Sequence, residues 1–410
     1  MDEDRCIMRD KVLHIRRLLS GMLMLLLLVV CSSCSDDDST QPLQPGEKPV
    51  LKLYIFSPDN PIVTRASGDH VESETDAEKK INTLQVWVFK NNTNDLVSYV
   101  KLEFNEEQSI FDEKVVLMDL TEDFVVNKTE VDIFVAANVT QDNCGLSFDK
   151  NTTATTLQNA KIGSGYFGIG STSKVTAVPT GGLPMTGRLK MQALTGTSPV
   201  FGIGNQNVKL VRAVSKVRFV FCKSSSNPPD VQKLSVSFDA DKLPKAEYLF
   251  LANLYNSYNY YRIDNSEYEP ETPLVTDFNG TTIEKCSDPV KYVYDATKHN
   301  GQQYEDLINL GINGDDTSNP TKPKELTEVG RYYLRESDKQ LSGKIAYTIG
   351  TGSSETHKSV DFSMPTPLDF TRNHTWIVYG YFMGSGNLML HLVETKSWTE
   401  DPENRTIYNW

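Results

Sequence analysis

Short apolar runs of alternating character, each ended by a cluster of asparagine, glycine, aspartate or proline, recur along this chain and steer it toward sheet. In Val50-Leu-Lys-Leu-Tyr-Ile-Phe56, Leu51, Leu53 and Ile55 alternate with Lys52, Tyr54 and Phe56, the period of two that buries one face of a strand. Residues 84–89, 130–136, 208–221, 234–238, 344–349, 376–382 and 388–393 repeat the pattern. Their valine, tyrosine and phenylalanine suit a pleated, half-buried surface, and the turn residues between them predict antiparallel β-sandwiches. Helical periodicity is confined to one short candidate over 303–310. The expected fold class is all-β.

The first 34 residues are of another kind. Leu23-Met-Leu-Leu-Leu-Leu-Val-Val30 follows a basic stretch with Lys11, Arg16 and Arg17. An apolar core of about ten residues falls short of the ~20 that span a bilayer. Small residues and a cysteine come directly after it, which is the layout of a signal peptide. The segment resembles a bacterial lipoprotein signal, with Ser32 and Ser33 before the cut and Cys34 as the lipidated, palmitate-bearing N-terminus. Cys31 stands where such signals usually carry leucine, and a start at Met8 would preserve the layout. Ser35-Asp36-Asp37-Asp38 resembles the serine-acidic tag that sends lipoproteins of Bacteroides-type bacteria to the cell surface.

Removing residues 1–34 takes away 5 of 41 basic and 4 of 54 acidic residues, so the remainder carries 36 against 50, a formal charge of −14. Such a balance argues against nucleic acid or anionic headgroups as partners. The expected division is a tether over 35–48, an N-terminal domain over 49–205 and a C-terminal domain over 206–410. Past the signal, Cys144, Cys222 and Cys286 are too few and too far apart for a disulfide framework. Cys222, inside an apolar run, reads as a small buried hydrophobe.

Several motif matches dissolve on their context. Gly163-Ser-Gly165-Tyr-Phe-Gly168 spells G-x-G-x-x-G, but no helical pattern follows to present amides to a pyrophosphate. Leu183-Pro-Met-Thr-Gly187 spells a sortase signal, yet a long stretch of foldable sequence comes after it. Seven Asn-x-Thr sequons, at Asn91, Asn127, Asn138, Asn151, Asn279, Asn373 and Asn404, read as polar surface in a bacterial lipoprotein. His70, His299, His357, His374 and His391 have no zinc-ligand spacing, and Gly-x-Ser-x-Gly does not occur. No catalytic residue, metal or cofactor is expected.

Ile81-Asn-Thr-Leu-Gln-Val-Trp-Val-Phe89 with Asp95-Leu-Val97, Leu183–Gly187, Leu210-Val-Arg-Ala-Val-Ser-Lys-Val217, Arg331-Tyr-Tyr-Leu-Arg-Glu336, Arg372-Asn-His374 and Trp398 together, in that order, resemble landmarks of the fimbrillins of Bacteroidales, the FimA/Mfa-type major pilins of type V pili. The resemblance implies two tandem transthyretin-like antiparallel β-sandwich domains and a structural, non-enzymatic role. It also implies a precursor held in the outer membrane by its lipid and cut by an arginine-specific surface protease in a loop past the first strand. Arg65 in Thr64-Arg-Ala-Ser-Gly-Asp69 matches that position, with Ala66 as the new N-terminus. Other pilin subunits would then be partners, and a host or bacterial surface molecule the adhesion ligand.

Loss of the strand bearing Leu51, Leu53 and Ile55 is expected to strip a sandwich of one edge and expose a groove that a neighbour's strand refills. The expected donor is the tail Arg405-Thr-Ile-Tyr-Asn-Trp410, with Thr406, Tyr408 and Trp410 on one face and Ile407 on the other. A terminal strand completing its own domain is the competing reading of that tail. Two further roles stay open: a tip or anchor subunit of the same pilus, and a surface glycan-binding lipoprotein presenting Tyr255, Tyr258, Tyr260 and Tyr261.

Overall fold

β1 (Val50–Phe56) buries Leu51, Leu53 and Ile55 completely while Val50, Lys52, Tyr54 and Phe56 stay half-exposed, so the alternation of the sequence becomes two faces of one strand. The computed structural model describes residues 48–58, 75–126, 130–162, 178–239, 247–250, 274–277, 293–294, 327–335, 340–363, 372–373, 375–395 and 405–409. The candidate helix at 303–310, the G-x-G-x-x-G match and Tyr255–Tyr261 lie outside them.

The first half continues with β2 (Thr83–Lys90), β3 (Leu96–Glu103), β4 (Glu113–Asp119), β5 (Val131–Ala137), β6 (Lys161–Ile162), β7 (Met185–Gln192), β8 (Thr195–Thr197), β9 (Val200–Gly202), β10 (Val208–Lys209) and β11 (Val211–Arg212). One sheet sets β4 antiparallel on one side of β1, with β9 and β10 parallel on the other and β8 beyond β9. The second runs β11-β7-β5-β2-β3. Every residue of β5 is buried, Asp132 included, so the alternation expected over 130–136 does not become a buried and an exposed face there. Leu51, Leu53 and Ile55 share one buried cluster with Trp87, Phe89, Phe134 and Leu189. Gly187, the last letter of Leu183–Gly187, sits on β7 where β10 crosses it. A Cβ there would lie 2.6 Å from Val208 Cγ1 and 2.9 Å from the Lys209 carbonyl oxygen.

The second half comprises β12 (Ser215–Ser224), β13 (Val231–Phe238), β14 (Glu247–Tyr248), β15 (Leu274–Asp277), β16 (Val293–Tyr294), β17 (Thr327–Leu334), β18 (Ser342–Ile349), β19 (Thr356–Ser363), β20 (Thr375–Phe382), β21 (Leu388–Thr395) and β22 (Arg405–Asn409). β12 lies between β17, antiparallel, and β20, parallel, with β21 and β22 following β20 and β16 pairing the end of β12. The facing sheet runs β15-β13-β18-β19. Between them Phe219, Phe238, Tyr332 and Phe362 meet edge-on, with ring centroids 5.5 to 6.3 Å apart.

The fold is all-β, but its sheets are mixed. Each half carries parallel pairs beside the expected antiparallel ones, β1 with β9 and β10 and β12 with β20. The run 208–221, read as one strand, is three: β10 and β11 pair with the first half and only β12 belongs to the second. Leu210, Ala213 and Val214 pack in the first core and Val217 in the second, so one strand-like run serves two cores.

Candidate functional site

β1 is an internal strand, and the expectation of an edge is corrected. Its whole length pairs with β4, from Val50 opposite Asp119 to Phe56 opposite Glu113, and its two ends meet β9 and β10 on the other side. Further backbone bonds close both ends: the Val50 amide donates to the Pro199 carbonyl at 2.7 Å, and the Leu210 amide to the Phe56 carbonyl at 2.9 Å. An alternating strand pattern tells which side chains are buried, not how many neighbours the backbone has. Removing β1 would therefore open a slot flanked on both sides. Val115 and Leu117 on β4 and Val200 on β9, all exposed, line its outer rims.

Arg65, Ala66 and Cys34 lie outside the described residues. Past the candidate cut the chain is described again at Thr75, which caps the one-turn helix Asp76–Lys79. Thr75 and Glu78 form a reciprocal capping box: the Glu78 amide donates to Thr75 Oγ1 at 3.4 Å and the Thr75 amide to Glu78 Oε2 at 2.8 Å.

Glu78 does more than cap. It is fully buried, and its Oε1 accepts from the Tyr333 hydroxyl at 2.7 Å and Arg331 Nη1 at 3.3 Å, with Lys216 Nζ 3.4 Å away. Lys216 on β12 stands opposite Tyr333 on β17, so one carboxylate from the first half meets three groups from the second. Burial, the largest effect, pushes the Glu78 pKa up; Lys216, Arg331, the Tyr333 hydroxyl and the Thr75 amide together hold it below the ordinary carboxylate value. No motif in the sequence marks this cluster. Thr75-x-x-Glu78 was legible as a cap, but nothing local announced partners beyond residue 210.

The donor candidate is placed as β22, antiparallel to β21 from Thr395 opposite Arg405 to His391 opposite Asn409. Thr406, Ile407 and Tyr408 are thus in the terminal strand of their own sheet, joined on one side among the described strands, and Trp410 lies outside the described residues. Cys144 and Cys222 are buried and unbridged. Among the described residues no three His, Cys, Asp or Glu side chains are grouped to hold a metal.

Residues 52–218 match the family model described as major fimbrial subunit protein (FimA). Among solved structures, a candidate cell adhesion protein of Parabacteroides distasonis ATCC 8503 is similar over 87% of this chain and 99% of its own, at 13% identity and a TM-score of 0.50. The tip fimbrial protein Mfa3 of Porphyromonas gingivalis, truncated at its C-terminus, aligns over 88% of this chain and 100% of its own, at 12% identity and a TM-score of 0.44. A fimbrilin (FimA) of Porphyromonas gingivalis W83 aligns over 88% and 96%, at 10% identity and a TM-score of 0.42. No curated protein matches the chain.

Proposed function

We propose, from the match of residues 52–218 to the model of the major fimbrial subunit protein (FimA) family, that the chain is a structural pilin precursor, not an enzyme, activated by loss of its first strand. It is exported as a lipoprotein through Cys34, reaches the outer membrane, and is cut after Arg65 by an arginine-specific protease. The freed subunit, beginning at Ala66, polymerises with its like into an adhesive fimbria.

One observation carries the reading. β1 is an internal strand of its sheet, yet its covalent path to the strands that follow is the segment 57–74, which contains Arg65. A single cut there would make β1 a separate, exchangeable piece. Three fully buried side chains, each worth about 1.5–3 kcal/mol, must then be replaced by those of another strand. The tail 405–410, alternating and terminal, supplies them from the neighbouring subunit after leaving β21. Because donor and acceptor are different surfaces, the contact repeats head to tail without closing.

The test is the N-terminus of protein sheared from cells. Ala66 is expected in wild-type filaments, and Arg65→Ala should leave uncut, lipid-bearing monomer that begins at Cys34. Filaments of unchanged N-terminus from that variant would refute the site.

A further inference from the structure

Two of the places where the second half of the chain reaches into the first avoid β1, and we propose that they serve as a built-in clamp that keeps the first half folded, with its slot open, between loss of β1 and arrival of the replacing strand. The inference rests on the release of β1 proposed above.

A need for such a clamp follows from the topology. β4 pairs with β1 alone among the described strands, and β9 and β10 each meet it at an end. When β1 leaves, one sheet of the first sandwich loses its spine and the shared core loses Leu51, Leu53 and Ile55. The other sheet, β11-β7-β5-β2-β3, is what remains to organise that half.

It is this second sheet that the clamp holds. After β13 the chain leaves its own sandwich, and β14 pairs with β6, Glu247 opposite Ile162 and Tyr248 opposite Lys161. Leu249 and Phe250 then plunge into the first core, 0% and 1% exposed, before the chain returns as β15 to pair with β13. The Phe250 ring packs 5.4 Å from Phe134 and 6.3 Å from Phe148. Polar groups bolt this excursion from both halves. The Thr186 hydroxyl on β7 donates to the Leu249 carbonyl at 2.7 Å; the buried Arg372, ahead of β20, donates to the Leu249 carbonyl at 3.1 Å and the Tyr248 carbonyl at 2.8 Å.

The second hold is the Glu78 cluster, which grips the chain past the proposed cut and draws Tyr333 into the first core. None of the partners named in these two holds lies on β1, β8, β9 or β10. Departure of β1 leaves both intact, and the slot is the part of the first half that they do not touch.

The experiment uses the full chain with a recognition site for a site-specific protease placed at Arg65, so that cutting does not depend on the native enzyme. After cutting, the 1–65 fragment is removed in mild denaturant and alkylation of Cys144, buried in the first half, is followed by mass spectrometry. The wild-type remainder is expected to protect Cys144. In Phe250→Ala, or the gentler Arg372→Lys, protection should be near wild-type before the cut and fall afterwards, on the order of 100-fold for the phenylalanine truncation. Equal labelling of wild type and both variants after fragment removal would overturn the clamp alone. A fragment that stays on a native remainder would overturn strand release itself, and with it the clamp's purpose.

Discussion

At the residue scale, Glu78 shows how one buried charge can join two halves of a chain. Its carboxylate has cationic and hydroxyl partners on strands that follow it by well over a hundred residues. Glu78→Gln would leave Lys216 and Arg331 facing a neutral group, and a broken buried pair costs about 3–5 kcal/mol. Thermal unfolding should fall accordingly, and Glu78→Gln with Lys216→Met should recover part of the loss. Since the folded pKa lies below the unfolded one, this stabilisation is full above the ordinary carboxylate range and is lost as pH falls through the folded value. Wild-type melting should therefore drop at acid pH more steeply than that of Glu78→Gln. Gly187 is a second sensitive point, because β10 passes where a Cβ would stand. Gly187→Val should lower stability by about 1–3 kcal/mol or more by forcing the two strands apart, as chemical denaturation would read.

At the element scale the sequence was generous about faces and silent about neighbours. Leu51, Leu53 and Ile55 were legible as the inward face of β1, because alternation is a property of one strand. Its central place was not, since β4, β9 and β10 come from far along the chain. The same limit applied to 208–221, whose recurring apolar residues hid a change of core between Val214 and Val217. Two outcomes follow for single elements. Leu53→Ala should cost the precursor about 2–5 kcal/mol while leaving any filament already cut and assembled unaffected, because β1 is absent from it. Deleting 405–410 removes a strand joined to β21 on one side among the described strands. The truncated protein should fold and be cleaved but stay monomeric by size-exclusion chromatography; long filaments from it would place the donor elsewhere.

For the whole molecule, the two buried thiols give a separate report on each half. Burial pushes the Cys144 thiol up to about 12 and the Cys222 thiol also upward, so neither is a thiolate near neutral pH. In the uncut chain both should resist alkylation until global unfolding, and labelling of either at low denaturant would reveal local opening. That Cys222 is buried was readable from its apolar run on β12. The clamp through Leu249, Phe250 and Arg372 was not, because its short segment pairs with the two-residue β6 alone among the described strands and its partners are dispersed.

β12 occupies in the second half the place that β1 holds in the first, set between an antiparallel and a parallel neighbour. It follows β11 closely in the chain and carries the lysine that meets Glu78. No cut at Arg65 can loosen it. Under the proposed mechanism each chain is thus a monomer of valence two, one vacancy and one plug, although it contains two similarly wired sandwiches. Such a unit can add to an end but cannot start a side chain. The product would be an unbranched polymer whose length depends on how often an end is filled by something that carries a plug and no vacancy.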